Sequence, residues 1–470
     1  MRILLPTGEA TERIVKDAAR GLDADVVVTG SVASFLTPDQ LRTLLRRNHY
    51  DLVIVSGMAS ASFLEVENET GVPIFRGPRH AADLSLILPR LGEIELSRSV
   101  PADDYLVARR REEAYRTLAE RESGAECDFI IRGLKIGGTS RMKVLAEIMD
   151  AHRHEDLPSR VEQFFLQGAD IVDLGFGFDA NPKDVRRCFK EMEEIEGPLA
   201  MDTMEPALIR AGLFRADIIL SLDEKNIPVI GPEIAQRGCA AVILPGERGL
   251  QANLAAAESM SISCLIADPL LMPVGSGLSS SLARYEPLTH PMFFGAGNVV
   301  ELFDADSIGM NALLAGLAHE VGASVIFTSE HSDKTRGSIG EMRRATEMMV
   351  LCKQRPYPKD LGVDLLVIKE KHRRKEPPLS YDRIMGAFPA PSEIVYDPCG
   401  NFRIGIEDEE IVAVVNGRGI RGKRWVDLFY TILREGDVSL LDHAAYLGAE
   451  LFKAELSLRF GRSYEQDGAF

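Results

Sequence analysis

Three carboxylates each close an apolar run at a point where the chain turns. They are Asp173 in Ala169-Asp-Ile-Val-Asp-Leu-Gly175, Asp202 in Leu199-Ala-Met-Asp-Thr-Met-Glu-Pro206, and Asp268 in Leu265-Ile-Ala-Asp-Pro269. An ionised carboxylate accepts hydrogen bonds through two oxygens, and these match two parallel N–H groups of a guanidine-like edge. Burying an acid without such a partner is costly, so acids at strand ends point to a polar ligand. Asn298, in Phe294-Gly-Ala-Gly-Asn-Val299, both donates and accepts and suits the mixed edge of a heterocycle. Helix capping is the competing explanation for an isolated Asp, and it applies to Asp173 and Asp202.

A 2-amino-4-oxo pterin presents the required edge through its 2-amino and N3 protons. A second segment, Lys135-Ile-Gly-Gly-Thr139-Ser-Arg141-Met-Lys143, combines two glycines, two potential helix caps and three cations. That composition suits a phosphate or diphosphate, and equally an ordinary glycine turn before a helix. Glu330-His331 offers acid–base or anion-binding groups. His152 and His154 have a metal-pair spacing, but on a polar helix end they are read as solvated, so no protein metal ligands are expected. His443 is expected to be a satisfied surface or interface histidine.

Positioning the acids falls to a stretch from about Asp128 to Arg355 that reads as eight strand–helix units. Its strands are expected at Phe129–Gly133, Ile171–Leu174, Leu199–Met201, Ile218–Leu220, Ala241–Leu244, Cys264–Ala267, Met292–Phe294 and Val325–Phe327. Helix starts fall at Pro182, Glu205-Pro206, Pro232, Gln251 and Ser307. Eight units in about 230 residues match a (β/α)8 TIM barrel. An open doubly wound sheet has the same element count, but functional-looking residues close nearly every strand, which favours the barrel. The expected fold class is therefore α/β. A central barrel (128–355) follows an N-terminal Rossmann-like α/β domain (1–100) and a helical linker (101–127), and precedes a C-terminal α+β module (356–470).

In the N-terminal domain, strands at Arg2–Leu5, Ala24–Val28, Leu52–Val55 and Val72–Phe75 alternate with helices at Glu12–Leu22 and Pro38–Arg46. Its glycine turns form no dinucleotide fingerprint. Tyr105–Ser123 is charged and helical. After Arg355 a charged loop, Lys369–Pro378, precedes strand-like runs at Glu393–Tyr396, Phe402–Ile406 and Ile411–Val415. One amphipathic helix then runs over Ser439–Phe460.

With 470 residues the chain exceeds one hydrophobic core, and a hydrophobic fraction of 45% with 27% charged residues is that of a globular protein. A net charge of −17 argues against nonspecific nucleic-acid binding, and the basic clusters Arg109–Arg111 and Lys371–Lys375 read as solvated faces. Six cysteines without a close pair fit buried, reduced thiols rather than disulfides or a zinc ribbon. The first residues read as a strand rather than a signal peptide, and no run is long enough to span a membrane. A cytoplasmic protein with neither membrane nor nucleic-acid partner is expected; a homodimer is compatible with the sequence.

The ordered segments Gly168-Ala-Asp-Ile-Val-Asp-Leu-Gly175, Met201-Asp-Thr-Met-Glu-Pro206, Arg215-Ala-Asp-Ile-Ile219 and Ala267-Asp-Pro269 resemble the dihydropteroate synthases and their pterin-binding barrel relatives. The three-part chain is similar to the archaeal dihydropteroate synthase-related group. The resemblance implies that Asp202 and Asp268 hold a pterin ring. It also marks departures: Lys135-Ile-Gly-Gly-Thr139 stands where the synthases carry Asn-x-Thr-Pro-Asp, and Leu220-Ser221 replaces Asn-Asp. The Ser-Arg-Lys segment is absent, and Gly297-Asn298-Val299 is similar to a loop of methyltetrahydrofolate–corrinoid methyltransferases.

Three readings follow. The first is a transferase joining a dihydropterin-methyl diphosphate to an arylamine in tetrahydromethanopterin synthesis. There Asp173, Asp202, Asp268 and Asn298 bind the ring, while Lys135, Thr139 and Arg141 receive a diphosphate bridged by Mg²⁺. Asp202, Lys135 and His331 are its candidate catalytic groups. The second is methyl transfer from a methyl-pterin to a corrinoid protein. The third is a non-catalytic pterin-binding or scaffold protein.

Overall fold

Short apolar runs separated by amphipathic helices form parallel sheets, because each strand must be carried back to the same edge before the next is added. The computed structural model describes residues 1–353, 358–359, 361–369, 381–389 and 395–468. The chain divides into two compact units, Met1–Ser380 and Tyr381–Phe470.

In the first unit, β1 (Ile3–Gly8), β2 (Ala24–Gly30), β3 (Leu52–Val55) and β4 (Ile74–Arg76) make a parallel sheet in the order β2-β1-β3-β4. The helix Pro38–Leu45 begins in a capping box in which the Thr37 side chain accepts from Gln40 N–H and Gln40 reaches back to Thr37. Leu4, Val53 and Val66 are fully buried on one side of this sheet.

The long helix Ala102–Ser123 follows, then an antiparallel hairpin of β5 (Phe129–Ile131) and β6 (Leu134–Ile136). Eight strands then close a parallel barrel: β7 (Lys143–Ile148), β8 (Ile171–Gly175), β9 (Leu199–Asp202), β10 (Ile218–Leu222), β11 (Ala240–Ile243), β12 (Leu265–Ala267), β13 (Met292–Phe294) and β14 (Ala323–Ser329). Strand β14 closes on β7, with Val325 to Ser329 paired with Lys143 to Glu147.

The expected first barrel strand, Phe129–Gly133, is thus corrected. A Gly133 at φ +82° turns that segment back on itself as a hairpin. Its Ile131 and Ile136 join Leu145, Ile171, Ile218, Val242 and Val325 in the barrel's interior core. The true first strand is the run Lys143-Val-Leu-Ala-Glu-Ile148. Its lysine, leucine, alanine and glutamate are good helix formers, which disguised it. No helix begins at Thr139 or Ser140. Seven of the eight expected barrel strands match within two residues. Pro232 lies inside the helix Ile227–Arg237 rather than at its start.

In the second unit, β15 (Arg403–Glu407), β16 (Glu410–Val415) and β17 (Arg418–Gly422) form an antiparallel meander packed by the helices Trp425–Glu435 and Leu441–Phe460. Ile411, Ala413, Ile432, Leu447 and Leu451 fill its core. His443 is satisfied: its Nδ1 lies 3.0 Å from the Asp397 carboxylate. Residues 370–378 of the expected charged loop, with the Lys371–Lys375 cluster, and residues 393–394 of the expected strand fall outside the described residues, as does Arg355. Among the described residues, no helix is long and apolar enough to cross a membrane, and none of the six cysteines forms a disulfide.

Candidate functional site at the C-terminal mouth of the barrel

Side chains alternate along a strand, so residues two apart share a face. In the barrel that rule places each acid two residues beyond an interior apolar side chain: Glu147 after Leu145, Asp173 after Ile171, Asp202 after Ala200 and Asp268 after Ile266. Leu145, Ile171, Ala200 and Ile266 fill the interior, and the four acids form the layer above it, towards the C-terminal mouth. Barrel enzymes build their active sites at this end.

Three of the acids meet. Glu147 and Asp173 are register partners on adjacent strands. One oxygen from each of Glu147, Asp173 and Asp202 lies within 4.8 Å of the others. A side chain at position 175 would collide here, because its Cβ would stand 2.5 Å from Glu147 Oε1. Gly175, the last residue of the Asp173-Leu-Gly motif, therefore leaves room for the glutamate.

Asp173 is fully buried, and neither of its oxygens has a hydrogen-bond partner. Burial first, then the Asp202 and Glu147 charges, push its carboxyl well above the usual carboxylate range. Burial, followed by the charges of Asp202, Asp150 and Glu301, raises Glu147 to about 7. Asp202 is raised by burial against the opposing effect of Ser221, whose Oγ donates to Asp202 Oδ1 at 2.6 Å. Ser221 adopts φ +62°, an uncommon conformation for a residue with a Cβ, where the β10–β11 register shifts. The irregularity turns the hydroxyl onto Asp202.

Asp268 stands at the end of β12, buried, with Oδ1 accepting from Leu270 N–H at 2.8 Å. Among the described residues nothing donates to its other oxygen. Burial raises it to about 7, against that one backbone bond. The buried Tyr285 hydroxyl is held protonated by burial and then by the Asp268 charge, against the Gly295 backbone N–H.

The raised Asp268 has a measurable consequence. In the unfolded chain its pKa is about 3.9. Between about pH 4 and 7 the unfolded state sheds this proton while the native state keeps it, so stability falls as pH rises through that window. Asp268→Asn removes the cost, and its stability relative to the parent should grow from pH 4 to pH 8 by up to about 4 kcal/mol. Urea unfolding of both proteins at pH 4.5 and pH 8 measures it; an equal difference at the two pH values would contradict a carboxyl that titrates near neutrality.

Asn298 lies on the short helix Ala296–Glu301 after β13, exposed at the mouth, with its Nδ2 3.6 Å from where a Cβ on Gly295 would stand. His331 follows β14 at the same end. Its ring is exposed, and its backbone N–H donates to Glu301 Oε1, which also accepts from Ser329 and Thr335. Glu330 accepts from the N–H groups of Gly337 and Ile339, so it orders the following loop.

The expected diphosphate site is corrected. Lys135, Thr139 and Arg141 precede the first barrel strand and therefore lie at the opposite, N-terminal end. The Lys135 ammonium donates to the carbonyls of Glu122, Ser123 and Ala125, capping the C-terminus of the helix Ala102–Ser123. Thr139 Oγ1 accepts from Glu126 N–H. Arg141 is buried and bonds Asp170 at 2.5 Å, Met142 O and Thr346. Lys143, fully buried, is held by Glu122, Ser140 and Arg141 O. These cations are already satisfied by the protein. His152 is also not solvated: its side chain is 8% exposed, 3.4 Å from Asp179 and stacked near Phe176.

Glu147 was missed because its segment reads as helix, and parity along a strand was the signal that would have found it. Ser221 has no local signature, since only the bulge in β10 brings it to Asp202.

Comparison with known proteins gives three kinds of match. A family model described as PterinBD-DUF4346 matches residues 396–467. The chain is 35% identical over 519 residues to "Uncharacterized protein MJ0107" of Methanocaldococcus jannaschii, covering 99% of this chain and 98% of that protein. Solved structures similar to it include dihydropteroate synthase (FolP) from Thermus thermophilus, at 18% identity over 44% of this chain and 92% of that one, with a TM-score of 0.37. The Yersinia pestis dihydropteroate synthase is 18% identical over 47% and 96%, with a TM-score of 0.37. Mycobacterium tuberculosis Rv1207 is 16% identical over 48% and 98%, with a TM-score of 0.37. Likeness at that level speaks to no residue of the site.

Proposed function

We propose that the chain, which belongs to the family that includes the archaeal protein MJ0107, is a dihydropteroate synthase-related, pterin-dependent transferase acting at the C-terminal mouth of its barrel. One observation carries this reading. Asp202 and Asp268 end two strands of one barrel, the first partly and the second fully buried, with acceptor capacity that the protein leaves unused. A pterin's 2-amino and N3 protons supply the two N–H groups a buried carboxylate needs, so binding the ring repays part of the burial cost. Asn298, at the rim, meets the ring's mixed edge.

The reaction this supports is alkyl transfer from a dihydropterin-methyl diphosphate. The bond between the methylene carbon and the diphosphate oxygen breaks, and diphosphate leaves with the electron pair. An arylamine nitrogen attacks the same carbon and sheds a proton. Positioning and stabilisation of the leaving charge suffice; no side-chain nucleophile is needed. Asp202 is its binding carboxylate, and His331, exposed at the mouth, is the candidate acceptor for the amine's proton. Synthesis of a modified folate such as tetrahydromethanopterin is the process into which this step fits.

Calorimetric titration with a pterin, its methyl diphosphate and a methyl-pterin, followed by a diphosphate-release assay with arylamines, tests the proposal. Binding of the diphosphate ester and amine-dependent release of diphosphate are expected. Turnover only with methyl-pterin and a cobalamin acceptor would replace this reading with corrinoid methylation, to which the Asn298 loop is suited. Pterin binding without either turnover would leave a binding protein.

A further inference from the structure

We propose that a cleft at the N-terminal end of the barrel, beside the tip of the β5–β6 hairpin, binds a compact phosphoryl anion. The cleft has a volume of about 210 Å³ and lies between that tip, the turns preceding β10 and β11, and the start of β12. Three guanidiniums line it, those of Arg132, Arg215 and Arg237, against a single carboxylate, Asp217. That carboxylate is already engaged by three donors. It accepts from Arg132 Nε at 2.8 Å, from Arg215 Nη1 at 2.8 Å and from Leu199 N–H at 2.9 Å. Arg237 therefore stands without a counter-ion among the described residues. In a chain of net charge −17, such a concentration of positive charge is a local exception.

Structural duties account for one of the three arginines. Arg215 is buried and donates to the carbonyls of Met192, Ile195 and Gly197 as well as to Asp217. The other two keep donors that no described residue uses. Arg237 places Nε on Leu213 O and Nη2 on Phe214 O, which leaves Nη1. Arg132 spends only Nε, so both terminal nitrogens of its fork are open. Its backbone is also unusual for an arginine. Ile131 and Leu134 pair across a two-residue turn, with Arg132 at φ +45° and Gly133 at φ +82°. Asparagine and glycine suit such a turn, because both of its residues lie in the left-handed region. The turn instead sets an arginine beside a second one. Burial, and then the Arg132 charge, hold Arg215 below the usual arginine range against the pull of Asp217. A bound anion relieves that repulsion. The donors also name its class: a guanidinium offers parallel N–H groups in one plane, matched to two oxygens of a phosphoryl group. Sites for drug-sized ligands occupy roughly 300–1,000 Å³, so this smaller cleft suits phosphate or a short phosphate ester.

Calorimetric titration of the full chain with inorganic phosphate at pH 7.5, with ionic strength held constant by sodium chloride, tests the site. Saturable binding is expected. Arg237→Gln and Arg132→Gly, checked for folding by circular dichroism, should each lower phosphate affinity ~10-fold or more, the effect of one charge-assisted hydrogen bond. Arg132→Gly should nevertheless melt no lower than the parent. Glycine adopts the left-handed backbone without strain, and the exposed ion pair that is lost contributes little. A residue kept only for structure would not combine intact stability with lost binding. A parallel titration with ribose 5-phosphate separates the two sources of the phosphoryl group, the tighter binder being the form the cleft takes. Absence of saturable phosphate binding in the parent would overturn the proposal, as would undiminished affinity in either folded variant. Because the cleft lies at the opposite end of the barrel from Asp202 and Asp268, its failure leaves the pterin reading standing, and failure of pterin binding leaves the phosphate site standing.

Discussion

Asp202→Ala is expected to lower affinity for a pterin by about 100-fold or more. A hydrogen bond to a charged group contributes about 1.5–3 kcal/mol, and each 1.4 kcal/mol is about ten-fold in affinity. The effect of the substitution on stability runs the other way. Asp202 is partly buried and adds to the repulsion felt by Asp173 and Glu147, so the variant should melt at the same temperature as the parent or higher. Calorimetry with the pterin, paired with thermal unfolding of the free protein, separates the two effects. Retained pterin affinity would end the assignment; a loss accompanied by a large fall in melting temperature would make Asp202 a structural residue.

Asp170→Ala should do the reverse. At the N-terminal end of the barrel, Asp170 accepts from Arg141 at 2.5 Å, from Arg343 at 2.8 Å and from Val144 N–H at 2.8 Å. Removing it strands the Arg141 guanidinium in the interior, a change that typically costs about 3–5 kcal/mol. Pterin affinity of the folded protein should not move, because the network lies at the far end from the acids. Urea unfolding measures the loss, and binding is measured well below the unfolding midpoint. A fall in ligand affinity as large as the fall in stability would show that this end of the barrel takes part in binding.

The contrast between these two aspartates shows how much of the molecule is readable from local pattern. Asp170 and Asp173 stand three residues apart in one motif. One begins a strand and anchors arginines, and the other ends up inside the mouth with no partner. Periodicity found seven barrel strands because each is a short apolar run between a helix and a polar turn. It failed at Lys143–Ile148, where helix-forming residues occupy a strand. That single error moved Lys135, Thr139 and Arg141 to the wrong end and concealed Glu147. Local composition could not correct it, since the strand's identity is set by pairing with β14 about 180 residues later.

Sequence alone determined that acids close several of the strands, that Gly175 stands two residues after Asp173, and that the strand–helix alternation demands a parallel α/β fold. Those features are local, fixed by residue type and by the two-residue alternation of a strand. Closure of the barrel decided the rest: which face of each strand points inward, which loops share an end, and that Glu147, Asp173 and Asp202 converge while Lys135 and Arg141 are spent on a helix terminus and a buried aspartate. Convergence of this kind depends on registers between strands far apart in the chain, and no spacing within a segment encodes it.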